Sequence, residues 1–323
     1  MENVMNFIPS AFSEYQIDRT ILGGKQINPN AAFDISVIML NTSGSHLRTQ
    51  YFESLLNCGF KKIVSVEPDA ESYNVEENSH RFPSVKFMIP REKTSDGVLI
   101  NMAMLELDTK YVLVLRDSFH IPAGFLTRNL AEYLINTDLF CIVPRLLDNK
   151  GNGIITNFIP EAYRGKFKVG IRQVVLDGLP TLYPFNNIAL INRNKFIQMG
   201  GYDYSILNPY WQNLDFSIRS WLWGEKIVMT TKFQLAYAED VPIEESVPDF
   251  SYLRFYLKNL LPRFKEDHGH ISRFSFPLFF VKSSCGIFEA LSQFKFAKIW
   301  VEKNQYRFKR DIQYLIENWA ELK

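Results

Sequence analysis

Over its first 250 residues the chain alternates short, nearly continuous apolar runs with stretches of helical periodicity. Ile35–Leu40, ISVIML, is wholly apolar apart from one serine and carries β-branched residues, the pattern of a buried strand. Leu47, Tyr51, Leu55 and Cys58 then fall on one face of a helix that Ser45 can cap and Gly59 can end. Residues 62–66 predict a second strand, running into Glu67-Pro-Asp69, and residues 85–87 a short third. Ser95 is placed to cap a helix reaching about Leu107. Residues 111–115 form the most continuous strand pattern and run out into Arg116-Asp-Ser118. Pro122 suits the first turn of a helix to about Ile135, and residues 139–143 predict a further strand. Apolar strands separated by helices predict an α/β fold with a mostly parallel sheet covered on both faces. Ligands of such sheets bind beyond the carboxyl ends of the strands, here residues 41–45, 67–69 and 116–118.

Composition narrows the class. Of 323 residues, 46% are apolar and 22% charged, so the chain can bury a core and is neither disordered nor low-complexity. A net charge of +1 argues against a nucleic-acid partner. Cys58, Cys141 and Cys285 are too few and too scattered for a disulfide framework or a zinc cluster, which predicts a reducing, cytoplasmic setting. MENVMNFIPSAF has neither the basic nor the long apolar region of a secretory signal. No apolar run reaches the ~20 residues of a membrane span, so no transmembrane segment is expected. The richest stretch, 274–291, is broken by Pro277, Lys282, two serines and Gly286.

Charge is unevenly spread. Residues 251–323 hold thirteen Lys/Arg against seven Asp/Glu, net +6, while the preceding 250 residues are net −5. The change coincides with the acidic, Pro-containing link 241–248. This predicts an N-terminal extension (1–33), an α/β domain (34–240) and an aromatic, basic, mainly helical region (241–323). Helical faces are legible at Tyr252, Phe255, Tyr256, Asn259 and Leu260, and at Tyr306, Ile312, Leu315, Ile316 and Trp319. Basic residues interleaved with aromatics in this tail fit a peripheral membrane-surface or lipid-linked-acceptor contact. They fit equally an appendage packed on the main domain or on a second subunit, and packing is the reading preferred.

No G-x-G-x-x-G or Walker pattern follows the first strand, which excludes the usual nicotinamide and P-loop enzymes. A nucleotidyltransferase would need a Gly-rich, basic start that the chain lacks. Instead, several features occur in a distinctive order: a second strand ending in Glu67, Gly97 and Asn101 in DGVLINMAMLEL, VLVLRDSF, and NNIALINRNKFIQMGGYDYSILNPYWQNLDFSIRSWLWGEKI. In the last run Gly200, Gly201, Tyr202, Asp203, Asp215, Arg219 and Gly224 follow one another in order, a Gly-Gly-aromatic-Asp turn before a helix that ends in glycine. From about Asp34 to Asp240 the chain thus resembles family 2 glycosyltransferases of the GT-A fold. The resemblance implies a nucleotide-sugar site in the first half, at Asn41, Glu67, Gly97, Asn101, Arg116, Asp117 and Ser118. It implies an acceptor site in the second, at Trp211 and Gln212, and catalytic positions at Asn213 and Asp215.

The chain departs from the family where the chemistry is densest. The metal-binding Asp-x-Asp reads Arg116-Asp117-Ser118, so only the middle acid stays. The acidic pair that would supply the base reads Gln212-Asn213, and an amide cannot take a hydroxyl proton at neutral pH. The metal-ligating histidine is absent from Tyr237-Ala-Glu239, and Pro-Thr-Tyr-Asn becomes Leu40-Asn-Thr-Ser43. No cofactor is therefore expected, and a divalent metal is not expected to bind tightly. Arg116 offers a planar fork suited to diphosphate, against the bland reading of a surface charge. Glu67 reads as a nucleobase partner or a loop acid, Asp117 as a ribose or phosphate contact through water, and Asp215 as a structural helix residue or a displaced base. His120 and His268-Gly-His270 read as loop and solvated histidines rather than metal ligands. Trp221 and Trp223 read as core. The function implied is transfer, or binding, of a sugar from a nucleotide-sugar donor in bacterial surface-glycan synthesis at the inner face of the membrane. The alternative is an inactive GT-A-fold protein serving as a binding or assembly module.

Overall fold

A computed structural model of the chain describes residues 17–41, 48–68, 74–122, 124–283 and 285–322. Ser45 and Asp69 lie outside the described residues.

Thirteen strands are present among them: β1 (Arg19–Gly23), β2 (Ile35–Leu40), β3 (Ile63–Val66), β4 (Val85–Pro90), β5 (Tyr111–Arg116), β6 (Phe119–His120), β7 (Cys141–Leu147), β8 (Phe158–Tyr163), β9 (Lys166–Ile171), β10 (Ala189–Asn192), β11 (Ile227–Tyr237), β12 (Arg263–Lys265) and β13 (His268–His270). Nine form one sheet in the order β1-β4-β3-β2-β5-β10-β7-β11-β6. β4, β3, β2 and β5 run parallel, as do β7 and β11, while β1, β10 and β6 are antiparallel to their neighbours. Leu40 pairs with both Val66 and Arg116, so the exits of the three central strands are level. Alternate residues enter two cores: Ile38, Leu40, Val64, Val66, Val112 and Val114 on one face, Val37, Met39, Ile63, Leu113 and Leu115 on the other. Burial on both faces is why these strands read as continuous apolar runs.

The connecting helices are α1 (Arg48–Cys58), α2 (Val75–Arg81), α3 (Asp96–Leu105), α4 (Arg128–Asn136), α5 (Arg193–Gln198) and α6 (Pro209–Leu222). Gly59 ends α1 at φ 100°, where an added Cβ would stand 2.8 Å from that of Ala32. Pro122 does not open a helix. Its carbonyl accepts from Phe125 in a turn, and α4 starts at Arg128 behind Thr127, whose hydroxyl oxygen accepts from the Leu130 amide. Of the 1–33 span, the described residues 17–33 join the main sheet, since β1 closes one edge of it against β4.

Residues 250–322 hold α7 (Phe250–Phe255), which continues as a π-helical turn (Tyr256–Leu260), then the β12–β13 hairpin, α8 (Phe276–Ser283), α9 (Ile287–Asn304) and α10 (Ile312–Glu317). His268 and His270 are hairpin residues on β13. The region shares one apolar cluster with the sheet and α6: Phe255, Phe294, Val301 and Trp319 join Leu214, Ile218 and Trp221. Trp221 meets Trp319 edge-on at 4.8 Å, and Trp223 stacks on Trp300 at 5.9 Å. Tyr306, by contrast, is exposed. Among the described residues no helix is long and apolar enough to cross a membrane.

A buried ionic cluster completes this junction. Lys258 Nζ lies 2.7 Å from Asp203 Oδ2 and 3.1 Å from the Asp215 carboxylate, and Asn259 Nδ2 donates to Asp215 Oδ1 at 2.7 Å. Burial alone would raise the Asp203 carboxyl, but the charges of Lys258 and Arg254 outweigh it and hold it well below the carboxylate range. Lys258→Met leaves two buried carboxylates without their ammonium. We expect a loss of about 3–5 kcal/mol in urea unfolding, and an unchanged midpoint would contradict this role for the cluster.

Candidate functional site

The level strand exits set Asn41, Glu67 and the 116–118 turn side by side. Asn41 Nδ2 lies 2.8 Å from Ser65 Oγ, 3.0 Å from the Val66 carbonyl and 3.2 Å from Glu67 Oε1. Ser65 Oγ donates to the same Glu67 oxygen at 2.8 Å, and the Glu67 side chain is fully buried. The Asp117 amide donates to the Leu40 carbonyl at 3.2 Å, and its residue is buried. These three segments are contiguous, yet of them only Arg116 and Ser118 line the cavity that opens beyond β5.

That cavity has a volume of about 440 Å³. Asp96, at the start of α3, forms an ion pair with Arg116 across its floor. Asn186 and Asn187 come from the turn before β10, Asn208, Tyr210 and Asn213 from the start of α6, and Glu239, Asp240, Glu244 and Glu245 from the segment after β11. The two turn asparagines sit at φ 51° and 62°, left-handed values that asparagine tolerates. Pro209 occupies the first turn of α6 behind Asn208, whose side-chain oxygen accepts from the Trp211 amide, and this fixes where Tyr210 and Asn213 emerge.

Glu244 is the best-held acid of the cavity. Its Oε2 accepts from the Tyr183 hydroxyl at 2.7 Å and its Oε1 from the Asn186 amide at 2.9 Å. Burial raises its carboxyl above the ordinary range, against the opposing pull of these two donors and of Arg116. Burial and the nearby Glu244 likewise raise the hydroxyls of Tyr183 and Tyr210, which therefore stay neutral donors. Tyr51, on α1, is raised by burial, Asp117 and Glu239. The acidic link folds back over the strand exits, where Pro242, Ile243 and Glu244 line the cavity with Arg116. A signal was present in four acids packed between Glu239 and Glu245 directly after a strand.

Other sequence candidates are committed elsewhere. The Gln212 amide bridges three groups: its Oε1 accepts from the Gly97 amide, and its Nε2 donates to Ser95 Oγ and to the Asp203 carbonyl, all at 2.9 Å. Ser95 thus spends its hydroxyl on Gln212 rather than on capping α3. A Cβ on Gly97 would come within 2.3 Å of Gln212 Oε1, so this glycine serves helix contact rather than ligand approach. Asn101 exchanges two 2.9 Å hydrogen bonds with the Tyr202 backbone. Trp211 is buried on Tyr210, Tyr252 and Phe255, with Nε1 donating to the Val247 carbonyl at 3.0 Å. Asp215 is fully enclosed by Lys258, Asn259 and Arg219. Gly97, Asn101, Trp211, Gln212 and Asp215 are thus held in contacts within the protein, and none of them lines the cavity. Asn213 does line it, with Nδ2 donating to the Pro184 carbonyl at 2.7 Å.

The β5 exit offers the cavity an arginine and a hydroxyl, while its carboxylates come from Asp96 and from the segment after β11. Among the described residues no group of three or more His, Cys, Asp or Glu is placed to hold a metal ion.

No family model matches the chain, and no curated protein matches it. Among solved structures it is similar to GalNAc-T7, whose crystal structure contains UDP, GalNAc and Mn²⁺, with a TM-score of 0.52 and 11% sequence identity. The match covers 70% of this chain and 49% of that one, so the chain spans about half the length of GalNAc-T7. At this identity the likeness shows the fold alone, a GT-A-like α/β architecture, to which this chain adds its helical C-terminal part.

The Gln212 bridge carries a test. Gln212→Glu would set a carboxylate oxygen 2.9 Å from the Asp203 carbonyl, where the amide now donates. We expect a loss of about 1–3 kcal/mol in chemical denaturation, because the buried carboxylate would face a carbonyl oxygen with no proton between them. A stability equal to the parent would overturn that account.

Proposed function

We propose that the protein is a glycosyltransferase-like, nucleotide-sugar-binding protein that works without a divalent cation. The observation that carries this reading is the cavity beyond β5, where asparagine amides and carboxylates converge with Arg116 at the strand exit. Amide and carboxylate groups suit the vicinal hydroxyls of a sugar, each giving paired hydrogen bonds. Among the described residues the wall holds Asp96, Glu239, Asp240, Glu244 and Glu245 against one cation, Arg116, itself paired with Asp96. Such a wall favours a neutral glycosyl group over a bare diphosphate. The diphosphate is assigned to Arg116, whose fork would exchange Asp96 for phosphate oxygens.

Glu244 is the proton acceptor of this reading. An acceptor hydroxyl oxygen bonds to the anomeric carbon, the bond from that carbon to the diphosphate breaks, and the diphosphate leaves with the electron pair. The hydroxyl proton passes to Glu244, whose raised pKa brings it closer to working pH than an exposed glutamate. The resemblance to family 2 enzymes and a role in bacterial surface glycans remain part of this proposal. A second reading, binding without transfer, is favoured by the amides Gln212 and Asn213 at the positions of the family's acidic pair.

Calorimetry with nucleoside-diphosphate sugars, beginning with UDP-linked GalNAc, tests the binding. We expect EDTA to leave it unchanged and the sugar nucleotide to bind more tightly than the free nucleoside diphosphate. Arg116→Ala should weaken it by about tenfold or more. Glu244→Gln should preserve binding and lower turnover by about 10²–10⁴-fold. Because the base must be ionised, the parent rate should rise with pH through a pKa above the ordinary glutamate value. Turnover that requires Mn²⁺ would overturn the metal-free reading, and binding without turnover for any acceptor would favour the second.

A further inference from the structure

The C-terminal helices leave an apolar surface that neither the fold nor the cavity uses. α8 and α9 pack together through Phe276, Phe279 and Phe294, whose rings lie 5.4–6.1 Å apart in the two cross-helix contacts. Ala290, Phe294, Ala297 and Val301 form the buried stripe of α9. On the outer side Phe274 is 94% exposed, Val281 79% and Phe288 86%, joined by the exposed Leu278 and Leu291. Phe274, Leu278 and Val281 follow one another at helical spacing just before and along α8, and Phe288 and Leu291 lie on the first turns of α9. Exposure of this many large apolar side chains in one helical hairpin marks an interaction surface.

The charge around the patch selects the partner. Between residues 273 and 299 the cations are Arg273, Lys282, Lys295 and Lys298, and the one acid is Glu289. Arg273, Lys282 and Lys295 are exposed beside the apolar residues. A second copy docking face to face would set these cations against their own equivalents. An anionic lipid surface instead pairs phosphates with the cations while the aromatic and aliphatic side chains enter the headgroup boundary. An apolar groove of about 960 Å³ continues from α8, sharing Leu278, Phe279 and Lys282 with this hairpin.

We propose that the α8–α9 hairpin docks the protein onto anionic membranes, with Phe274, Val281 and Phe288 inserted at the headgroup level and Arg273, Lys282 and Lys295 holding lipid phosphates. This contact lies in the interface plane and does not span the bilayer.

Co-sedimentation with vesicles is the test. The full chain should pellet with phosphatidylcholine vesicles in which phosphatidylglycerol replaces part of the lipid. It should stay in the supernatant with phosphatidylcholine alone, and added salt should release it. The double variant Phe274→Asp/Phe288→Asp should lose about tenfold or more of this binding, with its melting temperature unchanged because both rings are exposed. Lys282→Glu/Lys295→Glu should abolish the preference for anionic lipid. A parent protein that stays in solution with both vesicle types would overturn the proposal. So would a concentration-dependent dimer, seen by analytical ultracentrifugation, that the double phenylalanine variant dissolves; the face would then belong to a second copy.

Discussion

Helix α6 is buried along its whole length from Trp211 to Leu222, and it still carries Gln212, Asn213, Asp215, Ser217, Arg219 and Ser220. A polar group removed from water must find a partner within the protein, or it costs about as much as several apolar contacts return. Here the partners come from every neighbouring element. Ser95 and Gly97 of the α3 entrance meet Gln212, Pro184 meets Asn213, Lys258 and Asn259 of the tail meet Asp215, and the Gly201 carbonyl meets Arg219 at 2.6 Å. The position of α6 therefore sets how the sheet, the turn before β10 and the C-terminal region stand against one another.

That constraint bears on the chemistry. Gln212 is spent on holding two helices together, and Asp215 is locked in a charge cluster. Of the acids that face the cavity, Asp96 opens α3 and Glu239, Asp240, Glu244 and Glu245 come from the segment after β11. Glu244 reaches its place because Tyr183 and the Asn186 amide receive it, and both belong to the turn whose Pro184 carbonyl also accepts from Asn213. Under the reading proposed above, the proton acceptor stands on a loop that also lines the cavity rather than on α6.

The tail divides its aromatic residues between two tasks. Phe255, Phe294 and Trp319 close the core around α6, where Trp221 and Trp223 complete the packing. Phe274, Val281 and Phe288 close nothing. The positive charge of residues 251–323 follows the same division: Lys258 neutralises buried carboxylates, whereas Arg273, Lys282 and Lys295 stand in solvent.

The sequence by itself determined the parallel sheet and its strand exits, because strands buried on both faces must be apolar at nearly every position, as 111–115 is throughout and 35–40 is apart from Ser36. It also placed the 41, 67 and 116–118 segments together, since level parallel strands end side by side. It could not reveal β1, which is half exposed at an edge, or α9, whose apolar residues lie on both the buried and the open face and so give no 3.6-residue contrast. Nor could it separate bridging amides from site amides: Gln212 and Asn213 are neighbours in sequence, yet one faces α3 and the other the cavity. Glu244 was legible only as part of an acidic link. Its role depends on Tyr183, 61 residues away, and a contact of that range exists only once the chain has folded back across the strand exits.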